Sequence, residues 1–265
     1  MNRTLPSRGP RTFAALLLAG ALVSTSAHAA TLPKPLPHRG GIFTQKEGKI
    51  RLSGYLSLPK GAGTHPGIVA IQEWWGLDDW VKAQADSLAA HGYVVLAPDL
   101  YAGRVAYDQE TAHQLMSGLV DEDVMAILRA AVDHLRSRED VRAQAIGVIG
   151  WCMGGGYALD FTVAEPRLAA SVINYGHLMV DPKTIASIKP PILGNFGAED
   201  RGIPPADVKA FEQILKQTGH DVDIKIYEGA GHAFENPNNT QGYVPAAAAD
   251  AQSRTDAFLA KHLGR

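Results

Sequence analysis

The chain of 265 residues has a single cysteine, Cys152. One thiol cannot form an internal disulfide, so no disulfide framework stabilises the fold. There is no C-x-x-C motif and no second cysteine to resolve an oxidised thiol, which argues against a redox-active thiol protein. Histidine, cysteine and acidic residues also never cluster at the spacing of metal ligands. We therefore expect neither a metal site nor another cofactor.

The chain also lacks a large excess of positive or negative charge. The chain has 25 lysines and arginines, 27 acidic residues and a formal net charge of −2. A protein without a basic patch has no electrostatic attraction for nucleic acid or for an anionic membrane surface. Beyond the N-terminal segment, no stretch is long and apolar enough to cross a bilayer. The expected partner is a small molecule, and we favour a monomer.

The N-terminal residues 1–29 have the pattern of a signal peptide. Three arginines precede the short apolar run FAALLLAGALV, and Ala27-His28-Ala29 supplies an A-x-A cleavage site. The run is too short for a comfortable membrane span, which argues against an uncleaved anchor. Cleavage removes three arginines and no acidic residue, so the charge falls from −2 to −5. We expect an exported protein, periplasmic or secreted.

Residues 30–42 are rich in proline and glycine and are expected to form a flexible leader, followed by one domain over 43–265. Within that domain, predicted strands alternate with predicted helices. Residues 49–59 alternate in polarity, as in a half-exposed antiparallel strand. Valine- and isoleucine-rich runs predict strands buried on both faces at 67–72, 93–100, 145–152, 170–176, 190–197 and 222–229.

Helical patterns lie between these runs, at 77–92, 121–138, 205–219 and about 245–263. Alternating strands and helices predict the α/β class, as a mostly parallel, doubly wound sheet with helices on both faces. The segment 101–120 is the least regular part. It follows a strand, so we expect it to border the functional site at the carboxyl edge of the sheet.

The lone cysteine falls between a predicted buried strand and a helix, in the pattern Gly150-x-Cys152-x-Gly154. A nucleophile on a sharp strand-to-helix turn needs small residues two positions away on either side. The helix that starts behind the thiol favours the thiolate form. A lone cysteine is more often a small buried apolar residue, but this spacing predicts a nucleophile.

A nucleophile of this kind takes its acid and its base, in that order, from the ends of later strands. Asp200 follows the run at 190–197, and His232 follows the run at 222–229. His177 is the main alternative base, although it precedes Asp200, and Glu199 is the alternative acid. Asp200 could instead cap the following helix, and His232 could be a loop histidine without a partner.

Five segments resemble the dienelactone hydrolase family of α/β hydrolases. They are GIVAIQEWWGL, AHGYVVLAPDLYAG, GVIGWCMGGGYAL, FGAEDRGIP and YEGAGHAFENP, and they occur in the family's order between about Phe43 and Leu263. The resemblance implies that Cys152 is the nucleophile, Asp200 the orienting acid and His232 the base. It also implies that Glu73 contacts the resting thiol and helps to form the thiolate. In this fold the oxyanion hole is expected from the backbone N–H groups of Met153 and Trp74.

The chain departs from the family pattern at the positions that bind the substrate carboxylate. The resemblance implies an arginine four residues after the histidine, but Asn236 occupies that position. Arg104 is the nearest basic candidate for a second family arginine, so the resemblance does not extend to dienelactone itself as the substrate. Aromatic residues flank the predicted site and suggest an apolar or aromatic substrate group. These pocket candidates are Trp75, Tyr101, Trp151 and Phe234.

The resulting hypothesis is a hydrolase of small esters or lactones that works through a Cys–His–Asp triad and a thioester acyl-enzyme. The alternative is a non-catalytic small-molecule-binding protein that retains the same fold. A binding protein does not need the elbow, the acid and the histidine together, which favours the enzyme.

Overall fold

The computed structural model describes residues 40–47, 50–179 and 181–264. The expected signal peptide and most of the expected leader lie outside these residues. The described chain forms one eight-stranded sheet. Its strands are β1 (Gly41–Glu47), β2 (Ile50–Ser57), β3 (His65–Ile71), β4 (Val94–Pro98), β5 (Val141–Trp151), β6 (Ala170–Asn174), β7 (Ile192–Gly197) and β8 (Val222–Tyr227).

The strands lie in the order β1-β2-β4-β3-β5-β6-β7-β8. Strand β2 runs antiparallel to both β1 and β4. All pairings from β4 through β8 are parallel. The carboxyl ends of β3, β5, β6, β7 and β8 therefore meet at one edge of the sheet, where loops carry functional groups in α/β proteins.

Helices cover both faces of the sheet. They are α1 (Asp79–Ala90), α2 (Gln109–Ser117), α3 (Asp121–Ser137), α4 (Met153–Ala164), α5 (Pro182–Ser187), α6 (Pro205–Gln217) and α7 (Pro245–Leu263). Buried residues of α1 and α7 form one apolar core with the sheet, and those of α2 to α6 pack on the opposite face. None of the described helices has the length and apolar character of a membrane span.

Successive side chains of a strand point to opposite faces of the sheet, so they pack into different cores. In β3, Ile68 and Ala70 belong to the core under α1 and α7, and Val69 and Ile71 belong to the core under α2, α3 and α4. Since both sets are buried, a continuous apolar run is the expected pattern for such a central strand. The predicted α/β class, with a mostly parallel sheet and helices on both faces, is confirmed.

Three parts of the fold differ from the sequence expectation. Strand β1 begins at Gly41, so two residues assigned to the leader belong to the sheet. The irregular segment 101–120 contains α2. Asp108 caps the start of this helix, since its side chain accepts a hydrogen bond from Thr111 N at 2.8 Å. Strand β8 is not buried on both faces, because it forms the edge of the sheet and alternate side chains face solvent.

Candidate active site

Cys152 lies between β5 and α4, at the position predicted for a nucleophile. It is the residue that precedes α4, and its backbone has φ 54° and ψ −120°. A non-glycine residue with positive φ is strained, and such strain is typical of a nucleophile elbow. The turn places the sulfur above the carboxyl edge of the sheet, and the residue remains partly exposed.

The glycines around the cysteine are required by close backbone packing. A Cβ at Gly150 would lie 2.0 Å from the carbonyl oxygen of Gly154. A Cβ at Gly154 would lie 2.4 Å from the carbonyl oxygens of both Ile71 and Gln72 at the end of β3. These separations are far inside van der Waals contact, so any larger residue would force the elbow open.

A hydrogen-bonded relay connects Cys152 to the loops after β7 and β8. His232 Nε2 is 3.0 Å from Cys152 Sγ, and His232 Nδ1 is 2.7 Å from Asp200 Oδ2. The carboxylate can only accept, so Nδ1 carries a proton and donates it to Asp200. The other oxygen of Asp200 accepts from the N–H groups of Gly202 and Ile203 at 2.9 and 3.1 Å. Asp200 therefore orders the loop before α6 as well as contacting the histidine.

Electrostatics favour the charged forms in this relay. Burial by itself lowers the pKa of His232, but the hydrogen bonds to Asp200 and Cys152 outweigh burial and raise it to about 10. Burial acts to raise the pKa of Asp200, and the hydrogen bonds from His232 and from two backbone N–H groups hold it below its ordinary value. The imidazole itself is 42% exposed, so a substrate can approach it.

Neither alternative takes part in the relay. The relay histidine is His232, and His177 is an exposed residue beside Gly156. The relay acid is Asp200, whereas the backbone of Glu199 donates to the carbonyl of Ala230 at 2.9 Å.

A second group of ionisable residues lies around Glu73. This glutamate follows β3 and is only 2% exposed. Asn236 Nδ2 donates to its Oε2 at 2.7 Å, and the Tyr175 hydroxyl donates to its Oε1 at 3.4 Å. Burial is the largest influence and raises the pKa of Glu73 to about 7, although the hydrogen bond from Asn236 opposes it. Glu73 was expected to contact the resting thiol. The hydrogen bond of Cys152 Sγ is to His232, whereas those of Glu73 are to Asn236 and Tyr175.

Sequence reasoning missed Glu235, a second, partly buried carboxyl near Glu73. Its Oε1 and the indole Nε1 of Trp151 are shielded from solvent, and neither makes a regular hydrogen bond within the described chain. Burial raises the pKa of Glu235 to about 8, the nearby indole of Trp151 opposes the rise, and the charge of Glu73 adds to it. The surrounding sequence, GHAFENP, is largely polar and gave no signal that this carboxyl is shielded.

The predicted pocket aromatics divide into two sets. Trp74 and Trp75 are partly exposed and pack edge to face, with ring centroids 5.0 Å apart. Trp151 is 2% exposed and packs on Trp80, and Phe234 is fully buried between two tyrosines. Trp151 and Phe234 are therefore core residues that do not line an open pocket.

The polar pocket candidates are also placed differently from the expectation. Tyr101 is 5% exposed, and its hydroxyl faces the protein interior. Asn236 is buried, and it contacts Glu73. The side chain of Arg104 is exposed and makes no hydrogen bond or ion pair to another described residue, whereas its backbone N–H donates to the carbonyl of Tyr101 at 3.3 Å.

Two backbone N–H groups are available near the thiol. Met153 is the first residue of α4, where N–H groups have no partner within the helix. Trp74 lies in the loop after β3, and its N–H makes no backbone hydrogen bond to the described chain. These are the two groups expected to form the oxyanion hole. Among the described residues, no group of three or more His, Cys, Asp or Glu could hold a metal ion.

Comparison with known proteins identifies the relatives of this chain. A model of the dienelactone hydrolase family matches residues 52–263. "Protein usf" of Aquifex pyrophilus is 33% identical over 221 residues, covering 81% of this chain and 95% of that protein. A Bradyrhizobium protein named "Probable 2-oxo-3-(5-oxofuran-2-ylidene)propanoate lactonase" is 31% identical and covers 82% of this chain and 91% of its own. The solved structure named m3DLH has a TM-score of 0.75 at 27% identity, covering 84% of this chain and 98% of that chain.

The sheet order and the strained turn after β5 define an α/β hydrolase. The family match extends over most of the chain, from β2 to the end of α7. The chain belongs to the dienelactone hydrolase family and is a carboxylic ester hydrolase.

Proposed function

We propose that this enzyme hydrolyses small esters or lactones by covalent catalysis at Cys152. The observation that carries the proposal is the position of His232, which contacts Cys152 Sγ at 3.0 Å and Asp200 Oδ2 at 2.7 Å. A nucleophile, a base and an orienting acid within hydrogen-bonding distance of one another are the requirement for this chemistry. A binding protein would gain nothing from this arrangement.

The first half of the reaction forms a thioester. The thiolate of Cys152 attacks the substrate carbonyl carbon, and the carbonyl π electrons move to oxygen. The N–H groups of Met153 and Trp74 stabilise that oxyanion. When the carbonyl re-forms, the C–O bond to the leaving group breaks, and His232 Nε2–H protonates the departing alkoxide. For a lactone the leaving oxygen stays attached to the acyl chain.

The second half hydrolyses the thioester. Neutral His232 removes a proton from water, and the hydroxide attacks the thioester carbonyl through a second oxyanion. The C–S bond then breaks, and the carboxylic acid leaves while the thiolate and imidazolium re-form. Asp200 keeps the imidazole in the tautomer that presents Nε2 to the thiol in both halves.

Glu73 has a supporting role in this proposal. A carboxyl group with a pKa of about 7 is about half protonated at neutral pH, so it can exchange a proton with the site. When protonated, it also adds no negative charge beside the developing oxyanion. Its hydrogen bonds to Asn236 and Tyr175 would have to change before it could reach the thiol.

We further propose that neutral substrates are preferred over carboxylated ones. Asn236 supplies no positive charge, and the exposed guanidinium of Arg104 makes no hydrogen bond or ion pair with the described site residues. The nearby carboxyl groups of Glu73 and Glu235 would repel an anionic substrate whenever they ionise. In contrast, the Bradyrhizobium relative is named for an anionic lactone.

We also propose that the enzyme is exported and that cleavage occurs after Ala29 or one residue later. Intact mass spectrometry of the exported fraction is expected to show a chain that starts at Ala30 or Thr31. Full-length chain in that fraction would contradict export with cleavage.

The experiment that tests the catalytic proposal is a panel of small esters and lactones, assayed with the wild type and with Cys152→Ala. Turnover by the wild type and none by the variant is expected. A non-catalytic binding protein would show saturable binding and no turnover with either chain.

A further inference from the structure

The segment 99–106 forms an ordered turn beside the loop that carries Trp74. The carboxylate of Asp99 accepts hydrogen bonds from the backbone N–H groups of Tyr101, at 3.0 Å, and Gly103. Ala102 and Gly103 both have positive φ, 53° and 89°, which reverses the chain tightly. The turn is therefore a defined structure at the edge of the active site.

This turn contacts the neighbouring loop at four nearly consecutive positions. The contacts are Leu100 N to Gln72 Oε1 at 3.3 Å, Tyr101 Oη to Trp74 O at 3.1 Å, Ala106 N to Trp75 O at 2.8 Å, and a β-bridge between Gly76 and Val105. A Cβ at Gly76 would lie 2.7 Å from the carbonyl oxygen of Arg104, so the two segments pack backbone to backbone. The position of the Trp74 loop thus depends on the turn.

The hydroxyl of Tyr101 also reaches the elbow. Besides Trp74 O, it contacts the sulfur of Met153 at 3.3 Å. Trp74 and Met153 are the two residues expected to supply the oxyanion-hole N–H groups, and they come from different segments of the chain. Burial raises the pKa of Tyr101 far above its ordinary range, so the hydroxyl stays protonated and remains a donor.

We propose that Tyr101 is a positioning residue that sets the separation of the two oxyanion-hole donors. This inference rests on the proposed function, because it assumes that Trp74 and Met153 stabilise an oxyanion. The hydroxyl bonds to neither the thiol nor the imidazole. Its loss should therefore affect the formation of tetrahedral oxyanions and leave the reactivity of the thiol unchanged.

Tyr101→Phe tests this role because it keeps the ring and removes only the hydroxyl. We expect kcat for p-nitrophenyl acetate to fall about tenfold, since small displacements of preorganised donors are costly. KM is expected to stay within about twofold, since the hydroxyl lies away from substrate. Alkylation of Cys152 by iodoacetamide displaces iodide without forming an oxyanion, so its rate should not change.

Tyr55→Phe is the matched control. Tyr55 is also buried, and its hydroxyl donates to Asp86 on α1 at 2.8 Å. This variant should lose thermal stability with an unchanged kcat. Met153→Leu is a second probe, which keeps the backbone N–H and removes the sulfur. It is expected to show a smaller fall in kcat, again with normal alkylation.

Three outcomes would overturn the inference. A wild-type kcat in Tyr101→Phe, with Cys152→Ala inactive, would refute the positioning role and leave the proposed function intact. Equal losses of turnover and of alkylation in both Tyr101→Phe and Met153→Leu would show general disruption of the site. Absence of turnover in the wild type would refute the proposed function and this inference together.

Discussion

Two groups of ionisable side chains in the candidate active site respond to burial in opposite ways. In the relay of His232 and Asp200, hydrogen bonds outweigh burial and favour the charged forms of both residues. In the pair of Glu73 and Glu235, burial outweighs the hydrogen bonds and favours the protonated forms. The relay is open to substrate on the histidine side, whereas Glu73 is buried and Oε1 of Glu235 is shielded from solvent.

The difference shows how one site can hold a reactive ion pair beside neutral acids. Each charge in the relay has a partner of opposite sign and a fixed set of donors. The two carboxyl groups would carry like charges when ionised, and few hydrogen-bond donors face them. Protonation therefore stabilises them more than ionisation does. Ionisation of the pair would place negative charge beside the oxyanion that the proposed reaction builds.

The largest effect is expected from removing the relay. Cys152→Ala should reduce ester turnover by roughly 10⁴-fold or more, because the covalent route is lost. His232→Ala should lose nearly as much, and the double variant little more, since members of a relay act as one unit. Steady-state kinetics measures these losses of turnover, and circular dichroism is the control for folding. Strictly multiplicative losses in the double variant would contradict a single unit.

A smaller, pH-dependent effect is expected at the carboxyl pair. The pKa of Glu235 is about 8 in the folded protein and near 4.5 in an ordinary environment, so the folded chain retains a proton that the unfolded chain releases. The free energy of unfolding should therefore fall with rising pH between these values, by at most about 1.4 kcal/mol per pH unit from this group. Glu235→Gln removes the titration and should become more stable than the wild type as pH rises.

Urea unfolding of both proteins from pH 5 to 8 measures that difference. Glu228→Gln, in an exposed position of the same loop, is the matched control and should follow the wild type. Parallel curves for the wild type and Glu235→Gln would show that Glu235 does not carry the raised pKa.

The smallest effect is expected for substrate charge. Asn236→Arg should raise kcat/KM for an anionic lactone relative to its neutral analogue by about 10- to 100-fold, which corresponds to a charge-assisted contact of about 1.5–3 kcal/mol. Asn238→Arg adds the same charge at an exposed position of the loop and should have little effect. Arg201 is an exposed residue next to Asp200 and is, with Arg104, a loop arginine that could supply the missing charge. A native preference for the anionic lactone that neither Arg104→Ala nor Arg201→Ala alters would contradict the account.

The sequence was most informative where backbone geometry restricts the choice of residue. Gly150 and Gly154 predicted the sharp turn at Cys152, and the structure shows the backbone carbonyls that exclude larger residues there. The chain order of Asp200 and His232 likewise predicted that they would meet. Local pattern and chain order were sufficient because the strands that carry these residues are parallel and end at one edge.

Features that depend on contacts between distant segments could not be predicted. Strand β8 alternates apolar and charged residues, in agreement with its one exposed face, but only the strand order places it at the edge of the sheet. The proximity of Glu235 to the indole of Trp151 joins the loop after β8 to the end of β5. Similarly, the contact between Tyr101 and Trp74 depends on the packing of two loops.

The central claim is that Cys152 forms a thioester with the substrate. The most direct test is to mix the wild type with excess p-nitrophenyl butyrate, quench in acid within the first turnovers, and measure the intact mass. We predict one added butyryl group that peptide mapping places on Cys152, and no addition to Cys152→Ala. A butyryl group on another residue, or continued turnover by Cys152→Ala, would contradict the account.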